Sequence, residues 1–107
     1  MMETVTAKDA EISPASGIID VHIEALTKDF NAMSNGEMIH LQLEKFQQAL
    51  ERAVANGLNS FYVIHGVGSG KLKREIHRLL RNYPSVKSFN NDYHPKYGYG
   101  ATEVVLK

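Results

Sequence analysis

Phe61-Tyr62-Val63-Ile64-His65-Gly66-Val67-Gly68-Ser69-Gly70-Lys71-Leu72-Lys73 joins an apolar run to a helical pattern through three alternating glycines. The run at 61–64 predicts a buried strand. Leu72, Ile76, Leu79 and Leu80 share one face of a helix predicted over 71–81. A glycine-rich turn between strand and helix points main-chain N–H groups outward, and the new helix adds its positive dipole end. The junction therefore predicts an anion site, most naturally for phosphate, built from Gly66, Gly68, Gly70 and Lys71. His65 places an imidazole, a group suited to proton transfer, beside it.

Working outward, residues 17–23 read as a strand rich in β-branched side chains, with Ile19, Val21 and Ile23 on one face and Asp20 and His22 on the other. Leu26, Phe30 and Met33 are spaced like a short helix without a clear cap. Ser34-Asn35-Gly36-Glu37 is a capping-box pattern. After it Ile39, Leu43, Phe46, Leu50 and Ala53 recur at helical spacing, Gln42, Lys45, Gln48 and Glu51 are polar between them, and Gly57 closes the helix. Strands are predicted at 59–64, 85–90 and 101–106, with a polar loop at 91–100. The order β-α-β-α-β-β predicts parallel strands with crossover helices on one face of a four-stranded mixed sheet, a two-layer α/β sandwich. Ligands of such sheets gather at the carboxyl ends of the parallel strands, where Asp20, His22 and His65 fall.

The 107 residues suffice for one domain. Residues 1–17 are polar and aperiodic and read as a disordered leader or linker, leaving 18–107 as the folded unit. A unit of that size buries roughly 60–65% of its unfolded surface, enough for a modest core. The absence of cysteine excludes a disulfide framework and thiolate zinc sites and fits a cytoplasmic protein. No apolar run is long enough to span a membrane. Zero net charge hides a division: residues 1–57 carry nine acidic and four basic side chains, residues 58–107 three acidic and eight basic. Lys71, Arg74, Arg78 and Arg81 form a stripe opposite the apolar face of the second helix. A basic half beginning at an anion loop points to a polyanionic partner.

Two familiar phosphate motifs do not fit. A P-loop would need glycine where His65 stands and Ser or Thr where Leu72 stands, and a dinucleotide fingerprint needs wider glycine spacing. The set Ile19-Asp20-Val21-His22, His65-Gly66-Val67-Gly68 with Leu72-Lys73, and Gly98-Tyr99-Gly100-Ala101-Thr102 instead resembles the Smr (small MutS-related) domain family over residues 18–107. The chain departs from the family pattern at Ile23, where glycine is usual, at Lys73 for arginine, at Tyr97 for a common glycine, and in a longer connection to the first long helix.

The resemblance implies a fold like the C-terminal domain of bacterial translation initiation factor three. It implies nucleic-acid binding, DNA or RNA, with endonucleolytic cleavage in some members, and a place at the end of a larger chain. On that reading Asp20, His22 and His65 are the catalytic candidates, with Asp20 orienting a histidine or holding a divalent cation such as Mg2+. Gly66, Gly68, Gly70, Lys71, Lys73, Arg74, Arg78, Gly98, Gly100 and Thr102 would bind phosphate and backbone. Tyr93, Tyr97 and Tyr99 offer rings for unpaired bases. Two alternatives stay open: a non-catalytic module docking a ribosome or a nucleic acid, and a protein–protein module meeting an acidic partner.

Overall fold

Val63 and Ile64 are both buried although adjacent strand residues point to opposite faces, so their strand is covered on both sides. The computed structural model describes residues 12–13 and 17–107. Its strands are β1 (Ile12–Ser13), β2 (Ile18–Asp20), β3 (Ser60–Ile64), β4 (Val86–Asn90) and β5 (Ala101–Leu106), in the spatial order β1-β2-β3-β5-β4. β2 and β3 are parallel, and β5 lies antiparallel between β3 and β4. The four-stranded mixed sheet expected from the sequence is present, extended at one edge by the two residues of β1. The rest of the expected leader, residues 1–11 and 14–16, lies outside the described residues.

The helices are α1 (Ile23–Leu26), α2 (Asn35–Ala55) and α3 (Lys71–Arg81), with a 3-10 turn at Phe30–Ala32 between the first two. Phe46, Leu50 and Ala53 of α2 and Leu72, Ile76 and Leu80 of α3 pack with Ile19, Phe61, Val63 and Val104 in one core. No helix among the described residues is long and apolar enough to cross a membrane.

The strand expected at 17–23 stops at Asp20. Its carboxylate oxygen Oδ1 accepts the main-chain N–H of His22 at 2.9 Å, which turns the chain, and Ile23 opens α1 instead of continuing the alternation. Val21 still donates to the Ile64 carbonyl at 3.0 Å and stays buried. The longer connection to α2 is filled by α1 and the 3-10 turn. A second correction concerns Gln42, which is only 8% exposed.

The capping box forms as read: Glu37 N–H donates to Ser34 Oγ at 3.1 Å and Ser34 N–H to Glu37 Oε1 at 2.7 Å. Ser34→Ala is expected to cost about 1 kcal/mol. For a domain this size that lowers the melting temperature by about 4–8 °C, measurable by thermal unfolding; an unchanged melting temperature would show that the cap adds nothing.

Register then gathers the motifs. Asp20 pairs with Ile64, and Ile64 with Ala101. The carboxyl ends of β2 and β3 and the start of β5 thus meet at one end of the sheet, where residues 65–70 and 91–100 also lie.

Candidate nucleic-acid interface

The loop after β3 is held against the segment before β5. His65 and Gly66 both donate their main-chain N–H to the Gly100 carbonyl at 2.9 Å. A Cβ on Gly100 would lie 3.1 Å from the Gly66 Cα and from the Tyr97 carbonyl oxygen, so the two chains cross in backbone contact that only glycine permits. Beyond the crossing the loop is open. Among the described residues, the main-chain N–H groups of Val67, Gly68 and Ser69 have no acceptor. Gly70 opens α3 in the left-handed conformation (φ 85°) with no side-chain cap. α2 closes its own N-terminus with Ser34, whereas at α3 the Lys71 N–H reaches only the Ser69 Oγ, at a long 3.4 Å. Lys71 is exposed at that end, and the Arg74 guanidinium folds over Gly70, with Nη1 3.1 Å from where a Cβ would stand.

Asp20 and His22 form a dyad beside this loop. The His22 Nδ1–H donates to Asp20 Oδ1 at 2.9 Å, with both side chains 45% exposed. That bond sets the tautomer that leaves the Nε2 lone pair free. Nε2 faces the loop: a Cβ on Gly66 would lie 3.1 Å from it. Asp20 thus orients a histidine. For a metal it retains one oxygen that His22 does not use, which suits Mg2+ only where water and a substrate phosphate complete its shell. Among the described residues no three His, Cys, Asp or Glu side chains converge as a metal site.

His65 lies beneath the surface, 6% exposed, with both ring nitrogens engaged. Nδ1 is 2.7 Å from the Gly66 carbonyl, which can only accept, so Nδ1 carries the proton. Nε2 therefore accepts from the Thr102 hydroxyl at 2.8 Å. The same hydroxyl oxygen accepts from His77 Nε2–H at 2.8 Å. The chain runs His77 to Thr102 to His65 to Gly66, and every proton in it has one direction. Burial lowers the pKa of His65, and Lys73 and His22 add to that against the opposing pull of the Gly66 carbonyl. Burial also pushes His77 down to about 4, helped by His65, Lys73 and Arg81.

The remaining expected residues spread out. Lys73 Nζ donates to Asn91 Oδ1 at 3.3 Å, and Asn91 in turn donates to the Tyr99 and Ala101 carbonyls. Arg78 is 67% exposed and pairs with Glu75 at 3.2 Å. Gly98 exchanges main-chain bonds with His94 at 2.7 and 2.8 Å, and the Tyr62 ring meets His94 edge-on. Thr102 is fully buried, so its hydroxyl serves the two histidines and is not presented at the surface. Tyr93 and Tyr99 are exposed, with ring centroids 5.4 Å apart, whereas Tyr97 leans on His94. The sequence pattern assigns His77 no role. It stands next to Ile76 at the rim of the apolar face, where periodicity does not separate an outward ring from one tucked against Phe89.

The Smr domain family model matches residues 35–107. This chain belongs to the Smr domain family. The match starts after the Asp20–His22 dyad and spans the glycine loop, α3 and the segment around Gly100. Endonuclease MutS2 of Solidesulfovibrio magneticus is 41% identical over 58 residues, 54% of this chain and 8% of that protein. Endonuclease MutS2 of Pelotomaculum thermopropionicum is 42% identical over 66 residues, 62% of this chain and again 8% of the relative. The chain thus spans less than a tenth of the length of these curated relatives. Among solved structures, the Smr domain of Thermus thermophilus MutS2 superposes with a TM-score of 0.65 at 31% identity, covering 84% of this chain and 96% of that one. YdaL of Escherichia coli, a stand-alone small MutS-related protein, shares the fold with a TM-score of 0.60 at 17% identity, covering all of this chain and 76% of YdaL.

Proposed function

We propose that this Smr domain binds nucleic acid by seating a backbone phosphate on the 66–70 loop and cleaves the strand with His22 as general base. The observation that carries the reading is the His22 Nε2 facing Gly66 beside three main-chain N–H groups that, among the described residues, have no acceptor. The Val67, Gly68 and Ser69 N–H groups, with Lys71 and Arg74, would hold the phosphoryl oxygens and stabilise the charge that grows on them. His22 Nε2 would take the proton of an attacking hydroxyl as its oxygen bonds to phosphorus. The P–O bond on the far side breaks, and the departing oxygen takes a proton from solvent. Asp20 holds the ring in the required tautomer and stabilises the imidazolium that forms. His65 acts as a positioning residue: its bond to the Gly66 carbonyl fixes the loop. Any bound Mg2+ would supply further positive charge at the phosphate.

Cleavage of labelled single- and double-stranded DNA and RNA, with and without Mg2+, tests the enzyme reading. Salt titration tests the binding reading. Each phosphate neutralised adds about 0.7–0.9 to the slope of log affinity against log salt. Lys71→Gln and Arg74→Gln are therefore each expected to lower the slope by about that amount. A wild-type affinity indifferent to salt would overturn phosphate binding and leave the protein-partner reading.

A second reading is favoured by where the family match begins. Because it starts at residue 35, the dyad lies outside it. A domain that docks on RNA, the ribosome included, or on DNA without cutting would keep the loop and Lys71 and make no use of His22. Strong salt-dependent binding without cleavage would select it.

A further inference from the structure

An opening lies between the start of α2 and the glycine loop. It is a cleft of about 320 Å³ with Asn35, Met38, Ile39 and Gln42 on one wall and the loop from Val67 to Leu72 on the other. That volume is at the small end of ligand pockets. Met38, Ile39 and Leu72 give it apolar sides, and Gln42 stands within it as a polar group that the fold does not fully use.

Gln42 is 8% exposed. Its Nε2–H donates to the Val21 carbonyl at 2.9 Å, which fixes the amide orientation because a carbonyl can only accept. Its Oε1 has no hydrogen-bond partner among the described residues. Every fully enclosed side-chain nitrogen or oxygen among those residues is partnered, so Oε1 is not enclosed. Gln42 lines this cleft, which gives the accessible acceptor an opening to serve.

Resting on the nucleic-acid reading above, we infer that the cleft takes one unstacked nucleobase of the bound strand, with Gln42 Oε1 accepting from its Watson–Crick edge. Apolar side chains from Met38, Ile39 and Leu72 beside the Gln42 acceptor suit a flat heterocycle, and Asn35, Ser69 and Lys71 at the same opening suit the sugar and phosphate attached to it. One wall of the cleft is the loop that holds the phosphate, so base and phosphate come from the same or adjacent nucleotides. Each of the four bases carries an N–H donor on its Watson–Crick edge, and in a duplex that donor is already committed to the opposite strand. The cleft therefore selects unpaired nucleotides without reading their identity strongly.

The test uses the full chain and fluorescein-labelled 12-nucleotide single strands of mixed sequence. A matched series carries one abasic site at each successive position. Wild-type protein is expected to lose affinity about five- to 150-fold when the abasic site falls at one particular position, the range given by 1–3 kcal/mol of base contact. The corresponding duplex should bind more weakly than the intact single strand by a similar factor. Met38→Trp, which fills the cleft from its rim, and Gln42→Met, which removes the acceptor, should weaken binding of the intact strand and become indifferent to the abasic series. Met38→Trp leaves the Gln42 to Val21 bond in place, so it carries the test if Gln42→Met does not fold. A flat abasic series with salt-dependent binding intact would overturn the base site and leave the phosphate reading standing. Loss of all oligonucleotide binding in wild type would overturn both. Adenosine monophosphate competing as strongly as the 12-mer would overturn the strand and assign the cleft to a free nucleotide.

Discussion

Replacing His22 with alanine is expected to lower strand cleavage by about 10²–10⁴, the usual contribution of a positioned general base, while affinity for the uncleaved strand stays near that of wild type. The separation follows from geometry. His22 meets the loop through Nε2 but supplies none of its N–H groups or cations, so the phosphate keeps its seat when the imidazole goes. Asp20→Asn tests the other half of the dyad. The amide can present a donor or an acceptor to Nδ1, so the tautomer is no longer imposed, and cleavage should fall with little change in binding. Single-turnover cleavage and equilibrium binding on the same oligonucleotide measure both. A His22→Ala protein that cuts at the wild-type rate would remove the dyad from the chemistry altogether.

Thr102→Val is the second large effect. Valine fills the space but leaves the buried His65 Nε2 without a donor and His77 Nε2–H without an acceptor. A buried polar group left unsatisfied costs about 1–3 kcal/mol. The melting temperature should fall by about 4–8 °C for each kcal/mol lost. Thr102→Ser keeps the hydroxyl and should recover most of the loss. The damage should also reach the loop, because His65 is the group that holds the Gly66 carbonyl. Equal stability of the valine and serine proteins would show that the chain of hydrogen bonds contributes nothing.

The same histidines give the fold an acid limit. Both have folded-state pKa values below the ordinary 6.5, so as pH falls the unfolded chain takes up protons first. The stability they confer is full above about 6.5 and declines as pH falls toward about 4, where His77 charges within the fold. His77→Gln keeps an N–H for Thr102 and removes one titrating group. Its melting temperature should depend less steeply on pH across that window.

The sequence made the frame of the molecule readable because its signals are local. The capping box at Ser34, the run at 61–64 and the apolar stripe of α3 each encode an element within a dozen residues, and the observed bounds of α3 and β5 equal those expected. The strand at 17–23 was read too long because alternation cannot register an aspartate that turns to bond its own backbone two residues on. At the site, the glycine loop and the Asp20–His22 pair were legible as motifs, and the sheet register brings them together. What the sequence could not convey is which polar side chains turn inward. Gln42, His77 and Thr102 owe their surroundings to contacts 21, 25 and 37 residues away in sequence. Thr102 was read as a ligand contact, whereas its hydroxyl lies between two imidazoles.

The crossing of Gly66 and Gly100 ties two distant stretches of chain into one mechanical part. With 3.1 Å between the place of a Cβ and the opposing backbone, neither strand of the crossing can shift without carrying the other. The tyrosine-bearing segment and the glycine loop are thus yoked, and stiffening of one by a ligand should slow amide hydrogen exchange in both. Change over generations should feel the same yoke, with a side chain at Gly100 tolerated only alongside a compensating shift of the Gly66 backbone.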